Sequence, residues 1–119
     1  MKKIYYLKTC STCQRILKML NLSSDFEIQD IKETSLTVKD LEELRSIAGS
    51  YEALFSRRAK LYKEMGLKNE ILIEKDYKHY MLKHYTFLKR PIIVYEGEIF
   101  IGNNSKNIES AITALSNEK

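Results

Sequence analysis

Apolar residues recur along this chain with two periods, and the switches between them mark the expected elements. Lys3-Ile4-Tyr5-Tyr6-Leu7 is a run of β-formers and predicts a first strand. Gln14 to Asn21 carries Ile16, Leu17 and Leu20, the i, i+1, i+4 spacing of a helix with one buried stripe. Ser23-Ser24-Asp25 reads as a turn. Phe26 to Ile31 alternates apolar and polar residues and predicts a second strand. Thr37-Val38-Lys39-Asp40 resembles a capping box, with Asp40 in the slot usually held by Glu or Gln. Leu41, Leu44, Ile47 and Ala48 continue that helix as far as Gly49-Ser50. A second helical region is expected from Tyr51 to about Met65, on Leu54, Phe55, Leu61 and Tyr62, with Gly66 as its breaker. A further helix is expected from Glu70 to Tyr85, with Tyr77, Tyr80, Met81 and Tyr85 on one side.

After the single proline, Pro91, Ile92 to Tyr95 is a strongly apolar third strand. Glu96-Gly97 suits a two-residue hairpin turn, and Glu98 to Ile101 returns as a fourth strand. Gly102-Asn103-Asn104-Ser105 leads into a last helix on Ile108, Ala111, Ile112 and Leu115. The order is β-α-β, a helical block, then β-β-α. It predicts an α/β fold, a four-stranded mixed sheet flanked by helices, with a helical insertion between the second and third strands at about 37–87. No repeat or linker divides the chain, so residues 1–119 are expected to form one domain.

Composition narrows the function classes. Apolar residues make up 44% and charged residues 30%, ordinary values that argue against a disordered chain. No apolar run approaches the roughly 20 residues of a membrane span. Met1-Lys2-Lys3 begins like a signal peptide, but Lys8 interrupts the apolar residues that follow, so the cytoplasm is the expected compartment. The net charge of +4 is compatible with a small anionic substrate, and no basic run of the kind that binds nucleic acid directly is present.

The two cysteines are Cys10 and Cys13, in Cys10-Ser11-Thr12-Cys13. In a reducing compartment a C-x-x-C pair points to redox chemistry or metal binding more than to a static staple. This pair falls between a strand end and a helix start. There, unpaired backbone N–H groups and the positive end of the helix dipole favour thiolate over thiol. Cys10, ahead of the helix, is the expected nucleophile. Cys13, in the first turn, is expected to be more buried and to resolve a mixed disulfide on Cys10. His79 and His84 are the other zinc-type ligands. They lie far from the pair in sequence and about 140° apart on a helix, so no metal site is expected. Lys8 and Arg15 are expected to be solvated. Pro91 opens a strand; a trans-proline at a sheet edge and a cis-proline beside the redox cysteine are both open from the sequence.

Thr9-Cys10-Ser11-Thr12-Cys13, Ser56-Arg57-Arg58-Ala59-Lys60 and Leu88-Lys89-Arg90-Pro91-Ile92-Ile93-Val94 together resemble the arsenate reductase/Spx-related family, over essentially the whole chain. The resemblance implies a thioredoxin-like fold with a helical insertion. Cys10 matches the family's reactive cysteine, Arg58 or its neighbour Arg57 an arginine of the helical block, and Arg90 the arginine before a cis-proline at Pro91. In the reductases of the family these arginines hold an oxyanion over the cysteine, a task suited to the planar guanidinium fork. The implied activity is reduction of arsenate or of a glutathione mixed disulfide, with no bound cofactor and with glutathione or glutaredoxin as reductant. The implied alternative is an Spx-like redox-sensing regulator that binds the RNA polymerase α subunit. Two departures stand out. The reductases usually carry a further arginine after the last strand, where this chain has Ile101-Gly102-Asn103-Asn104-Ser105-Lys106. The position after the second motif residue, often basic, is Gln14.

Overall fold

A computed structural model describes residues 1–116. Four strands, β1 (Lys2–Tyr6), β2 (Glu27–Asp30), β3 (Ile92–Tyr95) and β4 (Glu98–Ile101), form one sheet in the order β2-β1-β3-β4. β1 runs parallel to β2 and antiparallel to β3, and β3 pairs antiparallel with β4. The sheet is therefore mixed, as the element order predicts. The α-helices among the described residues are α1 (Ser11–Leu20), α2 (Val38–Ala48), α3 (Lys60–Glu64), α4 (Glu74–Lys83) and α5 (Ser105–Ser116). The chain divides into two compact units, one of Met1–Thr34 with the chain from Arg90 onward, the other Ser35–Lys89.

The first unit holds the sheet with α1 and α5. Ile4, Ile93 and Phe100 are direct neighbours across β1, β3 and β4. They pack with Ile16 and Leu20 of α1 and with Ile108, Ala111 and Leu115 of α5 in one buried cluster. The two helices of this unit thus share one face of the sheet. Tyr5, Ile92 and Val94 point the other way in the pleat and are also buried, so the central strands are apolar on both faces. The β3–β4 hairpin turns at Glu96 and Gly97, with φ of 45° and 83°, the two positive angles of a type I′ turn.

The second unit is helical and aromatic. Thr37 and Asp40 form the expected reciprocal capping box: Asp40 N–H donates to Thr37 Oγ1 (3.1 Å) and Thr37 N–H to Asp40 Oδ2 (2.9 Å). Gly49 closes α2 with φ of 95°. The expected helix from Tyr51 to Met65 does not form as one element. A 3₁₀ turn at Glu52–Leu54 is followed by extended Phe55, a turn through Arg57 and Arg58, and only then α3. The reason is non-local. Phe55 makes an antiparallel bridge with Leu88, and its ring stacks on Phe87 at 5.1 Å and tilts against Tyr77 at 4.9 Å. The Glu74 carboxylate accepts the N–H groups of Tyr51 (2.7 Å) and Glu52 (3.0 Å), holding the start of that turn. The helix expected over Glu70–Tyr85 is likewise shorter. Asp76 accepts the N–H of extended Ile73, and a separate 3₁₀ turn at Tyr85–Phe87 follows His84.

Two substitutions test these units separately by urea unfolding. Ile93→Ala removes a fully buried side chain from the sheet core and is expected to cost about 2–5 kcal/mol. Thr37→Ala removes one half of the capping box and is expected to cost about 1 kcal/mol.

Candidate active site

The site is built where β1 ends. Lys8 and Thr9 turn, Cys10 takes the N-cap position of α1, and the helix starts at Ser11, three residues earlier than the apolar spacing suggests. No side-chain oxygen caps this helix, which leaves the Cys10 sulfur at the N-cap to meet its first N–H groups. Cys10 is half-buried and Cys13 fully buried; both are free cysteines. Two neighbours anchor the turn: Cys10 N–H donates to the Leu7 carbonyl (3.0 Å), and Gln14 N–H donates to the Cys10 carbonyl (3.1 Å).

The two thiols are pushed in opposite directions. Burial acts to raise Cys10. It is outweighed by the Cys13 N–H and thiol, the Thr12 N–H and the charge of Arg90, and the thiol lies below its usual value. Burial dominates at Cys13, and the neighbouring Cys10 sulfur adds to it; a Leu7 backbone hydrogen bond and Arg90 oppose without winning. Cys13 is raised to about 11. The helix start therefore presents one thiol ready to ionise and a second that keeps its proton.

Arg90 precedes Pro91 in the same unit, and its charge acts on both sulfurs. The Arg90–Pro91 peptide is cis. Pro91 is buried, and its carbonyl accepts the Gly102 N–H at 2.9 Å. The β4–α5 loop, which lacks an arginine, is closed by asparagines. Asn104 Oδ1 accepts the Asn107 N–H (2.8 Å), and Asn107 Nδ2 donates to the Gly102 carbonyl (2.9 Å). Lys106 is exposed in the first turn of α5.

Arg57 and Arg58 belong to the second unit and sit in a turn, not on a helix face. Arg57 is engaged there. Its guanidinium donates to Glu52 Oε2 (2.6 Å) and to the Tyr77 hydroxyl (3.0 Å), and lies 5.7 Å from the Tyr77 ring centroid. Arg58 is exposed and makes no ion pair among the described residues. His79 meets the ring of Tyr80 and His84 that of Phe87, and no group of three metal-ligating side chains forms among the described residues.

Two contributors were given no role from the sequence: Asp30, and Gln14, which was noted only as a departure from the basic residue usual at its position. The Asp30 carboxylate, at the end of β2, accepts the Lys8 N–H at 3.2 Å, and the Gln14 side-chain amide donates to the Lys8 carbonyl at 2.8 Å. Both act here through hydrogen bonds to backbone groups and not through reactivity, so no motif gives them this role. For Asp30 the only hint is a carboxylate closing an alternating strand.

The comparisons with known proteins agree with this architecture. The ArsC family model matches residues 5–111. The chain belongs to the ArsC family. It is 26% identical over 107 residues to the global transcriptional regulator Spx 2 of Bacillus anthracis, covering 88% of this chain and 82% of that protein. It is 27% identical over 113 residues to an arsenate reductase of Neisseria meningitidis, covering 92% of this chain and 97% of the relative. The solved structure of an arsenate reductase from Vibrio cholerae superposes with a TM-score of 0.75 at 25% identity, over 94% of this chain and 95% of the other. The fold is the thioredoxin-like fold of the ArsC proteins. No helix among the described residues is long and apolar enough to cross a membrane.

The opposite shifts of the two thiols set an expected order of reaction. Iodoacetamide at neutral pH is expected to modify Cys10 first, with a rate-versus-pH midpoint below the ordinary thiol value. Cys13 is expected to react only as pH approaches about 11 or on unfolding. Peptide mass spectrometry of the two cysteines checks it.

Proposed function

We propose that this chain is a thiol-dependent oxidoreductase in which Cys10 is the nucleophile and Cys13, glutathione or glutaredoxin resolves the intermediate. The observation that carries this reading is the split between the two thiols at one helix start, one lowered and one raised to about 11, with Arg90 acting on both. With a glutathione mixed disulfide as substrate, the Cys10 thiolate attacks one sulfur, the S–S bond breaks, and the displaced thiolate takes a proton and leaves. Cys13 loses its proton and attacks the Cys10 sulfur, releasing the second thiol and leaving a Cys10–Cys13 disulfide. Two glutathione thiols, directly or through glutaredoxin, return that disulfide to the dithiol and become oxidised glutathione. With arsenate, the Cys10 thiolate displaces one oxygen as water and forms an S–As bond. A second thiol attacks the Cys10 sulfur, the S–As bond electrons stay on arsenic, and arsenite leaves as the thiols become a disulfide.

Arg90, whose charge acts on both sulfurs, is assigned to the negative charge of the substrate; Arg58 is proposed for that task as the match to the family's arginine of the helical block. Arg57 is assigned to its own unit, since Glu52 and Tyr77 already occupy its guanidinium. A β4–α5 loop closed by Asn104 and Asn107 offers no third fork for a tetrahedral oxyanion, which favours the mixed disulfide over arsenate.

A coupled assay with glutathione, glutaredoxin and NADPH-dependent glutathione reductase tests the reading with each substrate. Cys10→Ser is expected to fall to the blank rate; an undiminished rate ends the proposal. Cys13→Ser is expected to be milder when glutathione resolves. Arg58→Ala is expected to lose on the order of tenfold in kcat/KM, about 1.4 kcal/mol. Arg57→Ala is expected to lower the melting temperature more than the turnover.

The similarity to the regulator Spx 2 supports a second reading, in which a Cys10–Cys13 disulfide tunes docking on the RNA polymerase α subunit. Immobilised polymerase α subunit is then expected to retain the chain in one redox state and not the other. Equal or no retention in both states counts against it.

A further inference from the structure

The turn that carries Cys10 is held at Lys8 from two sides. The Lys8 N–H donates to the Asp30 carboxylate at the end of β2 (3.2 Å), which also accepts the Lys32 N–H (3.3 Å). The Lys8 carbonyl accepts the side-chain amide of Gln14 in α1 (2.8 Å). Gln14 grips the turn a second time through its own N–H, which donates to the Cys10 carbonyl (3.1 Å). One residue of α1 thus ties the carbonyls on either side of Thr9. The segment is otherwise exposed at Lys8 and Thr9, where water competes for every backbone group.

We propose that Gln14 is a positioning residue for Cys10: its side-chain amide, working against Asp30 across the Lys8 peptide, holds the turn so that the N–H groups of Thr12 and Cys13 stay aimed at the Cys10 sulfur. The inference rests on Cys10 being the nucleophile. N–H donation to sulfur is steeply directional, and a turn free to swing takes the sulfur off the axis of its donors. A thiolate that loses these donors is less stabilised, whereas the neutral thiol loses little. The remaining groups acting on Cys10 are the Cys13 thiol in α1 and the Arg90 guanidinium ahead of β3. The Gln14→Met change leaves both in place and alters no charge.

The test is alkylation of Cys10 by iodoacetamide across pH, read by peptide mass spectrometry on the full chain, for wild type and Gln14→Met. Methionine keeps the length and helix propensity of glutamine and the backbone N–H to Cys10, but has no side-chain N–H to donate to the Lys8 carbonyl. The expected result is a midpoint raised by about half a unit and alkylation about threefold slower at neutral pH, with the melting curve little changed. Gln14→Ala gives the same readout if Gln14→Met does not fold. A wild-type midpoint below the ordinary thiol value, unmoved in a folded variant, overturns the role of Gln14 and leaves Cys10 as nucleophile. A wild-type midpoint at or above the ordinary value overturns the nucleophile and this role with it.

Discussion

One electrostatic constraint organises the chemistry: the N–H groups that open α1 have no carbonyl of their own to bond, and Cys10 stands where they point. A helix start leaves four such donors unsatisfied. Here no side-chain oxygen caps the helix, and the sulfur at the N-cap is the acceptor within reach. Ionisation of Cys10 and the packing of α1 are therefore linked. Ile16 and Leu20 seat the helix on the sheet and so hold these donors in place, and Cys13, in the first turn of the same helix, is buried.

That linkage explains why two cysteines three residues apart behave so differently. They share a helix end and the charge of Arg90, yet one lies at the rim and the other faces the interior. Desolvation is the largest influence on both; it is overcome where N–H donors converge and prevails where they do not. The proposed two-step thiol exchange would use such a pair, one thiol that ionises readily beside a partner that keeps its proton. The first attack needs a thiolate. The second thiol does better waiting until a disulfide bond to Cys10 has formed and the Cys10 charge is gone.

The arginines separate by what already holds them. Arg57 is committed to Glu52 and to the hydroxyl and ring of Tyr77, so its cost of removal is structural first. Arg58, its neighbour, carries no such commitment among the described residues. The β4–α5 loop shows the complementary case. Asparagine side chains there spend their hydrogen bonds on the loop itself.

Local pattern by itself determined much of this protein. Runs of β-formers, one alternating stretch and the apolar run after Pro91 placed the strands to within a residue or two, Glu96-Gly97 announced the hairpin, and Thr37 with Asp40 announced the start of α2, because each of these depends on residues adjacent in the chain. The C-x-x-C at a strand-to-helix junction was legible for the same reason. Distant contacts decided the rest. Leu54-Phe55 carries the apolar content of a helix, but pairing with Leu88 and stacking on Phe87 drew Phe55 out straight. Whether Pro91 is cis, which arginine is engaged, and that Asp30 and Gln14 meet at the Lys8 peptide all turn on chain segments brought together by folding. Hydrogen bonds and ring contacts act over a few ångströms, and a one-dimensional pattern holds no record of which residues will come that close.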